Sequence, residues 1–213
     1  MLPNLHGWKP AGAMSQVDDN QADLSAGAKI LEDRSVSMER ALFYLFVLAG
    51  PLVLLQAGFY SALWGWSDLR GGLDALLSLR VGGPVFILGI LLHEFIHGLT
   101  WKLVGPLSWR AIRFGFQLRI FTPYAHPAAP LPARAYRIGT LMPLLALGAT
   151  PFLVGLAIAD ARLAAFGMVF TFVAGGDLAI LWLLRGVPPR SWVQDHSSRA
   201  GCYVVVPSRL TSR

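Results

Sequence analysis

Four long apolar blocks constrain this chain most, because each is long enough to cross a lipid bilayer as a helix, which takes about 20 apolar residues. The blocks cover residues 41–64, 81–104, 138–159 and 163–184. Lipid offers no hydrogen-bond partner to the backbone, so a segment of this kind satisfies its own N–H and C=O groups by forming a helix. The blocks therefore predict an all-α polytopic membrane protein with four transmembrane helices.

The composition of the 213-residue chain supports a membrane protein. Hydrophobic residues make up 54% of it and charged residues only 14%, whereas soluble domains carry about 25% charged residues. The net charge of +6 does not indicate nucleic-acid binding, since the basic residues lie between and after the apolar blocks and form no continuous stripe. We therefore expect the lipid bilayer as a partner and no nucleic acid.

The polar segments divide the chain into three parts. Residues 1–40 are rich in polar residues and lack the pattern of a signal peptide, so we expect a disordered cytoplasmic tail. Residues 41–184 form the four-helix transmembrane domain, with a loop over residues 105–137 between the second and third helices. Residues 185–213 form a second cytoplasmic tail.

The distribution of basic residues predicts the orientation in the membrane. With four crossings, fifteen lysines and arginines lie on one side and three on the other. Cytoplasmic loops carry the excess of Lys and Arg, so we expect a multi-pass protein with both termini and the central loop in the cytoplasm, in the plasma membrane of a bacterium.

Ionisable side chains inside lipid are costly and indicate function. Only two of the twelve carboxylates lie well inside the apolar blocks, Glu94 in the second and Asp177 in the fourth. His93 and His97 are four residues apart, so they project from the same face of a helix. In this His-Glu-x-x-His pattern two neutral imidazoles bind Zn²⁺, and the glutamate takes a proton from the attacking water as the catalytic base.

Zinc needs a third protein ligand, and Asp177 is our candidate. His97 and Asp177 are each seven residues from the cytoplasmic end of their block, so both lie about 10 Å deep. Gly175 and Gly176 would let a neighbouring helix approach closely. Two other interpretations stay open: Asp177 binds hydroxyl or backbone groups of a neighbouring helix, or the histidines and carboxylates form a polar packing network without a metal.

The central loop carries two further features. His126 lies in a proline-rich stretch, where it is either a solvated surface histidine or a residue with a substrate or secondary metal role. Residues 110–118 alternate between polar and apolar, which predicts a small amphipathic strand or hairpin at the membrane surface. This hairpin either only covers the surface or holds an extended substrate segment by strand addition.

Four motifs in order, "HEFIHG", "FGFQLRIFTPYAHPAAPLPARAYRIGTLMP", "AGGDL" and "VQDHSSRAGCYV", resemble the DUF3267 family of zincin peptidases. More distantly, they resemble intramembrane metalloproteases of the site-2-protease type. The resemblance covers residues 89–205. It implies that His93, Glu94 and His97 form the zinc-binding helix, and that Asp177 occupies the late Gly-Asp position of the family. The "QDH" of the last motif, residues 194–196, has no role that we can assign from the sequence.

The sequence thus favours an intramembrane zinc metalloprotease that hydrolyses peptide bonds of a membrane-associated polypeptide. Two alternatives from other classes use the same residues differently. A metal-binding membrane carrier or sensor would need the ligands but not Glu94 as a base. A pseudoprotease that assembles membrane proteins would need neither.

Overall fold

The computed structural model describes residues 28–78, 80–117, 122–196 and 199–207. The helices in these ranges are α1 Met38–Trp64, α2 Trp66–Leu77, α3 Gly82–Val104, α4 Ala133–Pro143, α5 Thr150–Ile158, α6 Ala161–Val173 and α7 Gly175–Leu183. The strands are β1 Ala28–Val36, β2 Ile112–Gln117, β3 Thr122–Pro127, β4 Leu131–Pro132, β5 Trp192–Asp195 and β6 Ala200–Pro207. A π-helical segment, Leu144–Ala149, joins α4 to α5.

Three helices are long and apolar enough to cross a membrane: α1, α3 and the continuous helix Ala133–Ile158 that contains α4 and α5. Their apolar side chains face outward, as helices in lipid require. In α1, for example, Phe43, Leu54 and Leu63 are 64%, 75% and 62% exposed. The chain is therefore a membrane protein by the length and composition of its helices.

The predicted fold class, all-α with four transmembrane helices, is wrong in two respects. The fourth apolar block is not one straight helix but the pair α6 and α7, which meet at Ala174 with a bend of 40°. The described residues thus contain three candidate spans, or up to four if the bent pair counts as one. They also contain two antiparallel sheets, one of four strands in the order β1-β6-β5-β4 and one of two strands, β2-β3.

The four-stranded sheet collects segments that the sequence separates widely. Strand β1 precedes α1, β4 directly precedes α4, and β5 and β6 follow α7. Within the stretch that we expected to be a disordered tail, Ala28–Val36 pairs with Ala200–Pro207, and residues 1–27 lie outside the described residues. Because these segments share one sheet, they lie at the same end of the helices.

The sheet packs onto the helix ends through an apolar cluster. Leu131 and Val193 from the sheet are fully buried against Leu184, which follows α7, and Tyr136 of α4 is 2% exposed. At the other side of α7, Gly175 allows close packing on α1, since a Cβ there would lie 2.7 Å from Leu45 Cγ. The apolar cluster around Leu131, Val193 and Leu184 therefore fixes the sheet relative to the helices that carry the polar residues.

The single cysteine tests the sheet directly. The Cys202 side chain is fully buried, and burial raises the pKa of its thiol. Since the thiolate is the reactive form, we expect no detectable maleimide labelling of the native protein in detergent, and full labelling after denaturation, measured by mass spectrometry. As a control, Ser108→Cys in a Cys202→Ala background introduces a thiol at an exposed position and should react without denaturation. Equal labelling rates at the two positions would contradict the sheet.

Candidate metal centre

Two histidines of α3 converge on one point inside the helices. His93 and His97 lie one turn apart and are 4% and 5% exposed. Their Nε2 atoms are 3.2 Å apart. The spacing of the motif therefore produces what the sequence predicted, two imidazole nitrogens on one face of a helix, and this face is buried.

The structure brings Asp177 of α7 to the same point. Its carboxylate oxygens lie 3.1 Å from His93 Nε2 and 3.2 Å from His97 Nε2. The bend at Ala174 starts a new helix, so Asp177 lies in the first turn of α7. A helix N-terminus carries partial positive charge, which stabilises a carboxylate buried among apolar helices. The bend thus explains how a negative charge is tolerated at this depth.

Glu94 lies beside the two imidazoles. One potential ligand atom from each of His93, Glu94 and His97 lies within 4.8 Å of the others. Glu94 Oε2 also accepts a hydrogen bond of 2.6 Å from the backbone N–H of Ala125 in β3. The carboxylate is therefore held between the metal-ligand candidates and the β2-β3 hairpin.

The hairpin reaches α3 because of a glycine. A Cβ at Gly98, the residue after the second histidine, would lie 2.4 Å from Phe114 Cζ of β2. A side chain at this position would force the Phe114 ring to move off the helix. The glycine of "HEFIHG" therefore serves the contact between α3 and the hairpin.

The edge of β3 that faces Glu94 offers a single donor. Ala128 donates to the carbonyl of Ala111, and the pairing of β2 with β3 continues in register from there. Because antiparallel pairs alternate, the backbone groups of Pro123, Ala125 and Pro127 point away from β2. Proline has no N–H, so Ala125 alone can donate from this edge, and its N–H is bound to Glu94.

A hydrogen bond and a stacked ring fix the orientation of the His97 imidazole. Its Nδ1 donates to the carbonyl of Gly139 in α4 at 2.9 Å, which leaves Nε2 unprotonated in the neutral ring and pointing at Asp177. Trp101 stacks on the His97 ring with a centroid distance of 5.3 Å, and Tyr136 stacks on Trp101 at 5.7 Å. A hydrogen-bond partner on the second nitrogen is typical of histidines that bind metal.

The residues fit a zinc ion. Asp177 Oδ2 is buried and accepts no hydrogen bond from the described residues, although His93 Nε2 lies 3.1 Å away. A buried carboxylate oxygen without a partner is costly, and a cation among the three side chains would satisfy it. Two imidazole nitrogens and one carboxylate oxygen are a donor set that zinc takes in catalytic sites, where one position stays open.

The structure does not bring His126 into this cluster. Its Nδ1 lies 2.9 Å from Asp195 Oδ2, and among the contacts of the described residues none joins His126 to the three ligand candidates. Asp195 belongs to the "QDH" segment, and its Oδ1 accepts a hydrogen bond from the hydroxyl of Tyr136. Sequence reasoning missed these contacts, and also the contact of Ala125 with Glu94. The only signal was the "QDH" motif itself, to which we could assign no role.

One protein-family model matches the chain. The model of DUF3267, described as "Putative zincin peptidase", covers residues 86–192. The matched segment includes the two histidines, the hairpin and Asp177. No curated protein and no solved structure matches the chain. The family resemblance seen in the motifs is thereby confirmed.

The donor set leads to a prediction about zinc content. We expect His93→Ala, His97→Ala and Asp177→Ala each to weaken zinc binding by more than the roughly 10- to 100-fold that is typical of residues that only support a ligand. The reason is that a site with fewer than three protein ligands holds the ion weakly. The measurement is metal analysis of purified protein against a series of chelator concentrations. His126→Ala is the control and should retain wild-type zinc, whereas full retention by Asp177→Ala would contradict its role as the third ligand.

Proposed function

The chain belongs to the DUF3267 family, and from this membership we propose that it is an intramembrane zinc metallopeptidase that hydrolyses peptide bonds of a membrane-associated polypeptide. The predicted enzyme class, a metallopeptidase, agrees with the description of the family. The observation that carries the proposal is the meeting of His93 and His97 with Asp177 among apolar helices, with Glu94 beside them.

Three side chains would hold the metal: His93, His97 and Asp177. When bound, Zn²⁺ supplies a Lewis acid that polarises the scissile carbonyl. The chain contributes the orientation of the ligands. Gly139 fixes the His97 ring through Nδ1, and the start of α7 fixes the Asp177 carboxylate.

Glu94 is the proposed general base and acid. It takes a proton from the attacking water as the oxygen bonds to the scissile carbon, and it delivers that proton to the nitrogen as the C–N bond breaks. The hydrogen bond from Ala125 occupies Oε2, so Oε1 is the oxygen available to the water. A carboxylate that already has a fixed backbone donor changes its position little between these two steps.

The proposed orientation places the four-stranded sheet in the cytoplasm. The sheet joins the segments before α1, before α4 and after α7, and these segments and their flanks carry most of the basic residues. Both described ends of the chain then lie on the cytoplasmic side. Water and substrate would reach the site from the end that the hairpin and the sheet cover.

The catalytic role of Glu94 is tested by Glu94→Gln. The amide has nearly the volume of the carboxylate, so zinc content should stay at the wild-type level. The rate of peptide hydrolysis should fall by roughly 10²- to 10⁴-fold, because general-base catalysis contributes about that much. The measurement is cleavage of β-casein, an unstructured polypeptide, by purified protein in detergent, with new termini identified by mass spectrometry.

Two results would decide against the proposal. Undiminished cleavage by zinc-loaded Glu94→Gln would exclude Glu94 as the base. Zinc binding by the wild-type protein without any cleavage of β-casein or of proteins in its own membrane fraction would instead favour a metal carrier or sensor.

The orientation is tested by cysteines placed at the two ends of the helices in a Cys202→Ala background. Ser108→Cys lies on the sheet side, between α3 and β2, and Asp74→Cys lies on α2 at the opposite end, where the native side chain is 69% exposed. In intact cells a membrane-impermeant maleimide should label position 74 and not position 108. Opening the cells should expose both. Labelling of position 108 alone in intact cells would reverse the orientation.

A further inference from the structure

We propose that Asp195 is a positioning residue: through His126 it holds the β2-β3 hairpin in the register that keeps the Ala125 N–H on Glu94. The inference rests on the proposed function for the role of Glu94. It assigns a function to the "QDH" segment, which covers the end of β5 and the residue after it, outside the metal cluster.

Asp195 uses both carboxylate oxygens. Oδ1 accepts the hydroxyl of Tyr136, and Oδ2 lies 2.9 Å from His126 Nδ1. Its side chain is only 15% exposed, and Tyr136 is 2% exposed. A largely buried carboxylate that contacts two polar side chains is a strong and directional anchor, since hydrogen bonds to charged groups are about twice as strong as neutral ones.

These two contacts join three parts of the structure. Asp195 belongs to the four-stranded sheet, where it pairs with Cys202. Tyr136 belongs to α4, the helix whose Gly139 carbonyl fixes His97. His126 belongs to the hairpin. Asp195 thus connects the hairpin to the four-stranded sheet and to α4. Neither of these two elements depends on the hairpin for its own backbone hydrogen bonds.

The register of β3 against α3 decides whether Glu94 has a donor. The outward backbone positions on this edge are Pro123, Ala125 and Pro127, and only Ala125 has an N–H. A slip of two residues in either direction would place a proline opposite Glu94. His126 is the neighbour of Ala125 in the chain, so its bond to Asp195 limits this slip at the nearest position.

The central test is Asp195→Asn. The substitution replaces one carboxylate oxygen by an NH₂ donor, so the side chain no longer offers an acceptor at both the position that faces the Tyr136 hydroxyl and the position that faces His126. We expect faster amide hydrogen exchange in the hairpin, unchanged zinc content, and a kcat for β-casein cleavage about 10- to 100-fold lower with little change in KM, the loss typical of residues that orient a functional group.

The matched control is Asp33→Asn in the same sheet. Asp33 accepts from the backbone of Ser35 at 2.9 Å and lies 3.7 Å from Arg199, and it belongs to β1, away from the hairpin. Hairpin exchange and kcat should stay at wild-type values in this variant. His126→Ala removes the ring that contacts Asp195 and should also give faster hairpin exchange, so it tests the same contact if Asp195→Asn folds poorly.

A double-variant comparison tests the path of the effect. Ala125→Pro removes the N–H that binds Glu94 and keeps the ladder to β2, because that N–H points away from β2. Ala125→Val keeps the N–H and measures the effect of a larger side chain alone. If Asp195 acts through this one hydrogen bond, the kcat of Asp195→Asn/Ala125→Pro equals that of Ala125→Pro. Independent, multiplicative losses would overturn the proposal.

The readouts separate this inference from the proposed function. If the wild-type protein cleaves nothing, the proposed function fails, yet hydrogen exchange in Asp195→Asn and Asp33→Asn still decides whether Asp195 holds the hairpin. Hairpin exchange that is unchanged in both Asp195→Asn and His126→Ala overturns the inference, even if cleavage is fully established.

Discussion

The contact between Asp177 and the imidazoles of His93 and His97 is the constraint on which the rest of the structure depends. Ionisable groups among apolar helices are stable only when they meet one another or a cation. This requirement brings α7 against α3, and the bend at Ala174 supplies a helix N-terminus for the carboxylate. The close packing of Gly175 on α1 then lets α7 begin at the depth of the histidines.

The polar cluster is supported from outside the helices by a closed ring of contacts. It passes from His97 through stacked aromatic rings to the sheet, crosses to the hairpin and returns to α3: His97, Trp101, Tyr136, Asp195, His126, Ala125 and Glu94. His126 and Ala125 are neighbours in β3, and every other step joins two different segments or two turns of one helix. The ring therefore relates the position of Glu94, the proposed base, to that of the proposed metal ligands through groups outside the cluster itself.

Sequence patterns predicted the parts of this arrangement that local chemistry determines. The spacing of His93 and His97 predicted a shared face, and equal depth in two apolar blocks predicted the meeting with Asp177, which the structure shows. The sheet was missed because its strands pair across almost the whole chain, as Val36 does with Ala200. The contact of Ala125 with Glu94 was missed because a backbone N–H leaves no mark on the residue type. The only hint in the sequence is the pair of prolines on either side of Ala125, which leave Ala125 as the one donor on that edge. This hint can be recognised only once the pairing with β2 is known.

Those prolines also determine what the hairpin can offer to a polypeptide. The edge of β3 near Glu94 presents the carbonyls of Pro123, Ala125 and Pro127 and no free N–H. A segment bound along this edge must therefore donate its own amide N–H groups. A helix uses these groups internally, so a helical segment must unwind before it can bind there. Under the proposed function, unwinding would also expose the amide carbonyl that water attacks, so a substrate held along this edge would have the extended backbone that hydrolysis requires.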